Sequence, residues 1–421
     1  MTEQAKVITK SVPKVAMIFS GIVIMLCLGT IYSWSVFRLP IEAWLGVGST
    51  QSGLPYMTAL AVYAVSMMLT GRVLDRFSPF SVVLVGSGFV AAGWILSAYV
   101  DNIFALTMTY GVLSGAGVGI IYGVPMSVVA RWYPERKGLA VGLVLLGFGL
   151  SPLITAPVAK QLVDRFGLQP TFLILGIAFG ILMPLFGSVL KYPSRPDTAG
   201  ASSGSTTGGT QGNGTQENGM QENGMLEGVT QTVSHVVRTK SFFGLYSSFM
   251  MGTLVGLMLV GITSTIGVRQ FMMTPGQVAV MIPLFAIFNG VGRPLFGQII
   301  DRTSCKKAML LAYGIVLIAA ALMLTAKSGE IYKFVVSFCL FWMSLGGWLS
   351  IAPATTMRFF GSANYSRNYG VVFTAYGVGA ILGVLSSGAL IDLLNSFHLI
   401  YALITVVCLM GVLIVVGTIN E

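Results

Sequence analysis

The chain is poor in charge. Asp, Glu, Lys and Arg make up 9% of its 421 residues, where soluble domains carry about 25%. A water-exposed surface of that size cannot be built from so little charge, which excludes a soluble enzyme and a disordered chain alike. Histidine is scarcer still: His235 and His398 are the only two. His235 falls outside the apolar runs and His398 stands at the very edge of the last one, so histidine-based catalysis has no footing. The four cysteines, Cys27, Cys305, Cys339 and Cys408, match neither a zinc spacing nor a C-x-x-C pair. They read as small buried fillers. With no nucleophile–base pair and no metal cluster within the apolar runs, neither an enzyme nor a bound cofactor is expected.

What the chain has is apolar length. Hydrophobic residues reach 55% and mean hydropathy is +0.83. A hydrocarbon core about 30 Å thick takes about 20 apolar residues per helix. Runs of that length fall at about 15–37, 53–71, 80–100, 104–130, 138–159 and 170–190, then at 242–266, 277–299, 308–326, 331–357, 369–390 and 397–418. Lys6, Lys10 and Lys14 before Val15 resemble the start of a signal peptide. The run continues to Phe37 without a small-residue cleavage site, so it reads as a retained first transmembrane helix. Pro193–Gly228 is rich in Gly, Ser, Thr, Asn and Gln, with QENGM at 216–220 repeated at 221–225. Such a segment buries no apolar surface and reads as a flexible linker. The expected fold is an all-α membrane protein of twelve transmembrane helices in two pseudo-symmetric six-helix bundles. Its parts are a first bundle at 1–190, a cytoplasmic linker at 191–240 and a second bundle at 241–421.

The net charge of +10 suggests an anionic partner such as nucleic acid until the basic residues are placed. Counting alternate loops puts 17 Lys and Arg on the side of the termini and 6 on the other. By the positive-inside rule both termini and the linker are cytoplasmic. The charge is therefore mostly topology, and no nucleic-acid partner is expected. On this placement all 14 acids sit in loops, linker or tails, Lys333 stands at the edge of its run, and a single basic residue, Arg293, remains deep inside a span.

The two halves repeat each other. Gly71-Arg72-Val73-Leu74-Asp75-Arg76 follows the second run, and Gly297-Gln298-Ile299-Ile300-Asp301-Arg302 follows the eighth. Both read G-x-x-x-D-R, and repeated six-helix halves mark transporters. This pair resembles the signature of the major facilitator superfamily. That resemblance implies a gate motif of Gly71, Asp75, Arg76, Gly297, Asp301 and Arg302. The glycines would allow close helix approach, and Asp75 and Asp301 would face a neighbouring helix N-terminus and stabilise one gate. Within the superfamily the chain is most similar to the oxalate/formate antiporter and monocarboxylate porter branch. The matching segments are Gly29–Ser35 (GTIYSWS), Gly115–Gly123 (GAGVGIIYG), Arg131–Ala140 (RWYPERKGLA), Phe288–Pro294 (FNGVGRP) and Ser366–Gly370 (SRNYG).

Arg293 is the strongest site signal. A guanidinium does not lose its proton under biological conditions, and at mid-bilayer it costs about 2.5–3.5 kcal/mol even on the lenient insertion scale. Without a resident carboxylate in the spans, an anionic substrate is its natural partner. Snorkelling to the cytoplasm is the bland alternative. Tyr122 stands nine residues before Arg131, and Tyr376 nine after Arg367. Each is about 13 Å from a cytoplasmic charge, near the depth of Arg293. Asn289 lies one turn before Arg293 on the same face. Tyr32 and Phe148 complete the expected substrate-binding set. Gly111, Gly115, Gly119 and Gly123 recur every fourth residue, a pattern of close helix packing.

Departures from the branch narrow the substrate. The oxalate exchanger carries a lysine in its eleventh helix where Tyr376 stands here, so a second carboxylate loses its cation. Leu345, Leu349, Phe148 and Ile31 make the site more apolar. The eukaryotic monocarboxylate porters carry an Asp where Asn289 stands. The expectation is a bacterial inner-membrane, monomeric secondary transporter of a small monocarboxylate anion such as lactate or pyruvate. It would work by alternating access with proton symport, the coupling ion being H+. Oxalate/formate-type exchange, or efflux of a non-carboxylate compound, are the alternatives; a transporter-like sensor is a further one.

Overall fold

The computed structural model describes residues 14–71, 76–193, 236–361 and 365–419. Among them, twelve helices are long and apolar enough to cross a membrane. The first half holds α1 (Lys14–Leu45), α2 (Ser49–Thr70), α3 (Pro79–Ser97), α4 (Ile103–Trp132), α5 (Lys137–Phe166) and α6 (Leu168–Gly187). The second holds α7 (Lys240–Arg269), α8 (Pro275–Arg302), α9 (Cys305–Leu324), α10 (Ile331–Phe360), α11 (Tyr365–Leu394) and α12 (Phe397–Thr418). Most of the expected linker at 191–240, together with Arg72 and Asp75, lies outside the described residues.

Short polar side chains set the helix starts by accepting otherwise unpaired first-turn amides. Ser78 caps α3, Asn102 caps α4, Thr239 caps α7 and Ser304 caps α9. At α8 the Thr274 side chain accepts from the Gln277 amide while the Gln277 side chain reaches back to the Thr274 N–H, a full capping box.

The four most enclosed spans are α7, α10, α1 and α4, with 89%, 72%, 61% and 61% of their most apolar windows buried; the others reach 50% at most. Every third helix is thus central, as repeated three-helix units require. The halves meet along α2 with α11 and α5 with α8. Exchanging the halves turns α2 into α8 and α11 into α5, so one seam maps onto the other. The glycine ladder of α4 does what its spacing suggests. A Cβ on Gly115 would lie 2.6 Å from the Ala59 carbonyl, and one on Gly119 would lie 2.4 Å from the Tyr63 carbonyl. α4 therefore rests directly on the backbone of α2.

Several helices outrun their apolar stretches. α5 and α7, at 30 residues each, measure about 45 Å and project beyond a ~30 Å core. The correction that matters is in α1. It does not end at Phe37 but passes through a tight 3-10 segment, Gly29–Ser33, and continues to Leu45. Arg38 and Glu42 therefore lie inside the first span, and both are buried. Arg293 is not the only buried cation, and the spans do contain a buried acid. The chain continues as helix past Pro40, and these two charges find polar partners on α2 and α7.

Candidate functional site

Arg293 projects from the middle of α8, where α8 and α10 touch backbone to backbone. A Cβ on Gly292 would lie 2.3 Å from the Met343 carbonyl, and one on Gly346 would lie 2.0 Å from that of Asn289. The side chain is 3% exposed. Its Nη1 donates to the Leu145 carbonyl on α5 at 2.7 Å, so the group does not snorkel to an end of the molecule. Nε and Nη2 have no hydrogen-bond partner, and no carboxylate pairs with Arg293 among the described residues. Asn289 is fully buried one turn earlier. Its Nδ2 donates to the Trp342 carbonyl at 3.1 Å, while Oδ1 has no partner.

Gly149 on α5 makes room for this pair. A methyl there would stand 2.8 Å from Asn289 Oδ1 and 3.0 Å from Arg293 Nε. The unpartnered edges of both side chains therefore sit against a bare stretch of backbone from the other half of the molecule.

Next to Gly149, the ring of Phe148 organises the aromatic side of the site. Tyr32 and Tyr122 meet it edge-on, with centroids 5.1 and 5.4 Å away. The guanidinium carbon of Arg293 is 5.9 Å from its centroid, within cation–π range. Tyr32 and Tyr376 share a hydrogen bond at 2.8 Å between their hydroxyls, which ties α1 to α11. All six expected residues, Arg293, Asn289, Tyr122, Tyr376, Tyr32 and Phe148, are thus brought into one buried cluster.

Two further aromatic residues belong to it. Tyr63 on α2 contacts Tyr122, Phe373 and Tyr376 with centroids 5.2–5.7 Å apart. Phe373 in turn stacks on Tyr376 at 4.9 Å. Tyr63 carries a signal the sequence does show, since it stands nine residues before Arg72, the spacing of Tyr122 from Arg131. Leu345 packs instead against Gly256 of α7.

A second polar assembly closes the end of the molecule remote from the chain termini. Arg38 donates to Ser52 Oγ at 3.0 Å, to the Gly261 carbonyl at 3.1 Å and to the Ser49 carbonyl. Glu42 lies 3.6 Å from Arg38 and pairs with Arg269 of α7 at 2.5 Å. Asp392 of α11 accepts the amides of Ser49 and Thr50 at the start of α2. Tyr56 Oη donates to the Leu257 carbonyl at 3.4 Å. Each half supplies both donors and acceptors, and every charge has an opposite charge or a helix terminus facing it.

The repeated G-x-x-x-D-R segments sit at the other end. Gly71 closes α2, its amide donating to Met67, and Arg76 is exposed. Asp75 is outside the described residues. The copy at α8 differs from expectation at its glycine. A Cβ on Gly297 would meet only Ser350 Oγ at 3.7 Å, an ordinary contact, so no close crossing depends on it. Asp301 and Arg302 are exposed in the last turn of α8. The N-terminus of α9 is capped by Ser304 rather than by Asp301.

The family model of the Major Facilitator Superfamily matches residues 16–360 and 242–420. The chain belongs to this superfamily of membrane transporters. The oxalate:formate antiporter of Oxalobacter formigenes is 28% identical over 363 residues, which is 86% of this chain and 81% of that one. Monocarboxylate transporter 12 of Xenopus laevis is 26% identical over 357 residues, 78% of this chain and 74% of its own. Among solved structures, a bacterial homolog of the human lysosomal transporter Spinster, inward-facing and unoccupied, superposes with a TM-score of 0.65. It is 12% identical and covers 96% of this chain and 94% of that one, a likeness of fold. Arg293 thus lies where α8 of one half meets α5 of the other.

Proposed function

We propose that the protein is a secondary active transporter that moves a small monocarboxylate anion, of the lactate or pyruvate kind, by alternating access. The observation that carries this reading is Arg293, buried between the halves with two donor nitrogens unpartnered and no carboxylate beside it among the described residues. A buried guanidinium with spare donors is built for a carboxylate. Asn289, Tyr122, Tyr32 and Tyr376 supply the further polar groups, and Phe148 the apolar wall. The absence of a second cation among these residues favours one carboxylate over two. The names of the oxalate:formate and monocarboxylate relatives support the same substrate class.

The setting we infer is a bacterial cytoplasmic membrane, with both termini cytoplasmic and the protein acting as a monomer. An inside-negative potential opposes entry of a lone anion by about 2.3 kcal/mol per 100 mV, which favours proton symport. The proton then travels with the substrate, because the cluster around Arg293 offers no carboxylate to carry it. That same lack of a carboxylate supports a second reading, anion exchange. Uptake of radiolabelled lactate into proteoliposomes tests both. Symport requires uptake driven by an imposed inward proton gradient alone; exchange requires a preloaded anion inside. Arg293→Gln should abolish uptake under either regime while the protein stays folded. Near wild-type uptake by this variant rejects the site.

A further inference from the structure

A crevice of about 280 Å³ opens between α1, α5, α7 and α8, roughly nine times the ~30 Å³ that a water occupies in the liquid. It is separate from the Arg293 cluster. Lys160 on its rim lies eleven residues along α5 from Gly149, about 16 Å, or half the thickness of a hydrocarbon core. The crevice therefore sits at headgroup level, where the abundant small amphiphiles are lipids.

Its chemistry has two parts. Lys160 and Asp164 form an ion pair, one turn apart on α5. They are the charged residues of the lining, and they present one charge of each sign side by side. Around them Leu39, Val163 and Ala279 make an apolar wall. The wall also includes Ser35, whose hydroxyl is buried and finds no partner in the protein.

We propose that this crevice holds one zwitterionic phospholipid. Its phosphate meets Lys160, its ammonium meets Asp164, and the upper part of a chain lies along the apolar wall. The match is electrostatic: a net-neutral pair of opposite charges complements a net-neutral headgroup, whereas an anionic lipid would set its charge against Asp164. The walls come from α1 and α5 of one half and from α7 and α8 of the other. A lipid seated there touches both halves and holds the arrangement in which the Arg38–Glu42–Arg269 assembly is closed.

The test is native mass spectrometry of the full chain in mild detergent, with phosphatidylethanolamine and phosphatidylglycerol offered in equal amounts. The wild type should retain one ethanolamine lipid. Val163 on α5 and Ala43 on α1 both line the crevice; Val163→Trp and Ala43→Trp each fill it from a different helix and should lower retention at least tenfold, and two variants guard against misfolding of one. Lys160→Ala combined with Asp164→Ala should abolish the headgroup preference. A wild type that retains no lipid, or fillers that retain as much as the wild type, would overturn the site. Equal retention of both lipids by the wild type overturns the headgroup assignment.

Discussion

Asp392, near the end of α11, grips the first turn of α2 by accepting the Ser49 and Thr50 amides at 2.8 and 2.7 Å. A carboxylate from one half thus occupies the positive end of a helix in the other. Alternating access requires this contact to break and re-form. Charge at a helix N-terminus contributes about 0.3–1 kcal/mol, and up to ~2 where partly buried. Asp392→Asn should therefore raise opening of this end severalfold. Hydrogen exchange reads it directly: the amides of Ser49 and Thr50 should exchange faster in the variant, while those of the α5–α8 seam do not change. Unchanged exchange at Ser49 and Thr50 would assign the closure to other groups.

Glu42 makes a stronger claim, because it serves two guanidiniums. Removing one member of a buried ion pair typically costs ~3–5 kcal/mol, since the surviving charge stays buried. Glu42→Gln leaves Arg38 fully buried and should lower the thermal midpoint by several degrees. Replacing both Arg38 and Glu42 by Met removes the stranded charge and should recover part of the loss. A double variant less stable than Glu42→Gln alone refutes the account.

These charges also mark where sequence reading stops. Arg293 and Tyr122 were legible because polar groups deep in apolar runs are rare and their depth follows from counting residues to the nearest loop. Tyr63 obeys the same count, but no motif surrounds it. Arg38 and Glu42 follow an apolar run that ends at Phe37, and Pro40 stands between them. Whether two such charges can be buried there depends on the Gly261 carbonyl and Arg269, each more than 220 residues away. Gly149 was illegible for a similar reason. A glycine's need for space is a property of the facing helix, and Asn289 and Arg293 are about 140 residues away.

That close approach is itself testable. Gly149→Ala introduces a methyl 2.8 Å from Asn289 Oδ1 and 3.0 Å from Arg293 Nε, so both side chains must shift. Gly142→Ala on the same helix meets nothing within 4 Å and serves as the control. The first should raise the KM for the transported anion about tenfold, equivalent to ~1.4 kcal/mol; the second should leave it unchanged. Equal KM values for the two variants would place the anion away from the Asn289–Arg293 edge.

Tyr376 decides how many carboxylates the site accepts. Its hydroxyl is 2.8 Å from that of Tyr32, whose ring meets Phe148 edge-on, the same ring that the Arg293 guanidinium approaches. A cation introduced there would join Arg293 in the same buried cluster and offer a second carboxylate its partner. Tyr376→Lys should therefore gain dicarboxylate affinity, seen as a thermal shift with oxalate that the wild type lacks. Tyr376→Phe separates charge from geometry. It keeps the ring stacked on Phe373 and removes only the bond to Tyr32, so it should weaken monocarboxylate binding without admitting oxalate. A Lys variant that shows no oxalate shift would mean that the missing second cation is not what restricts the site.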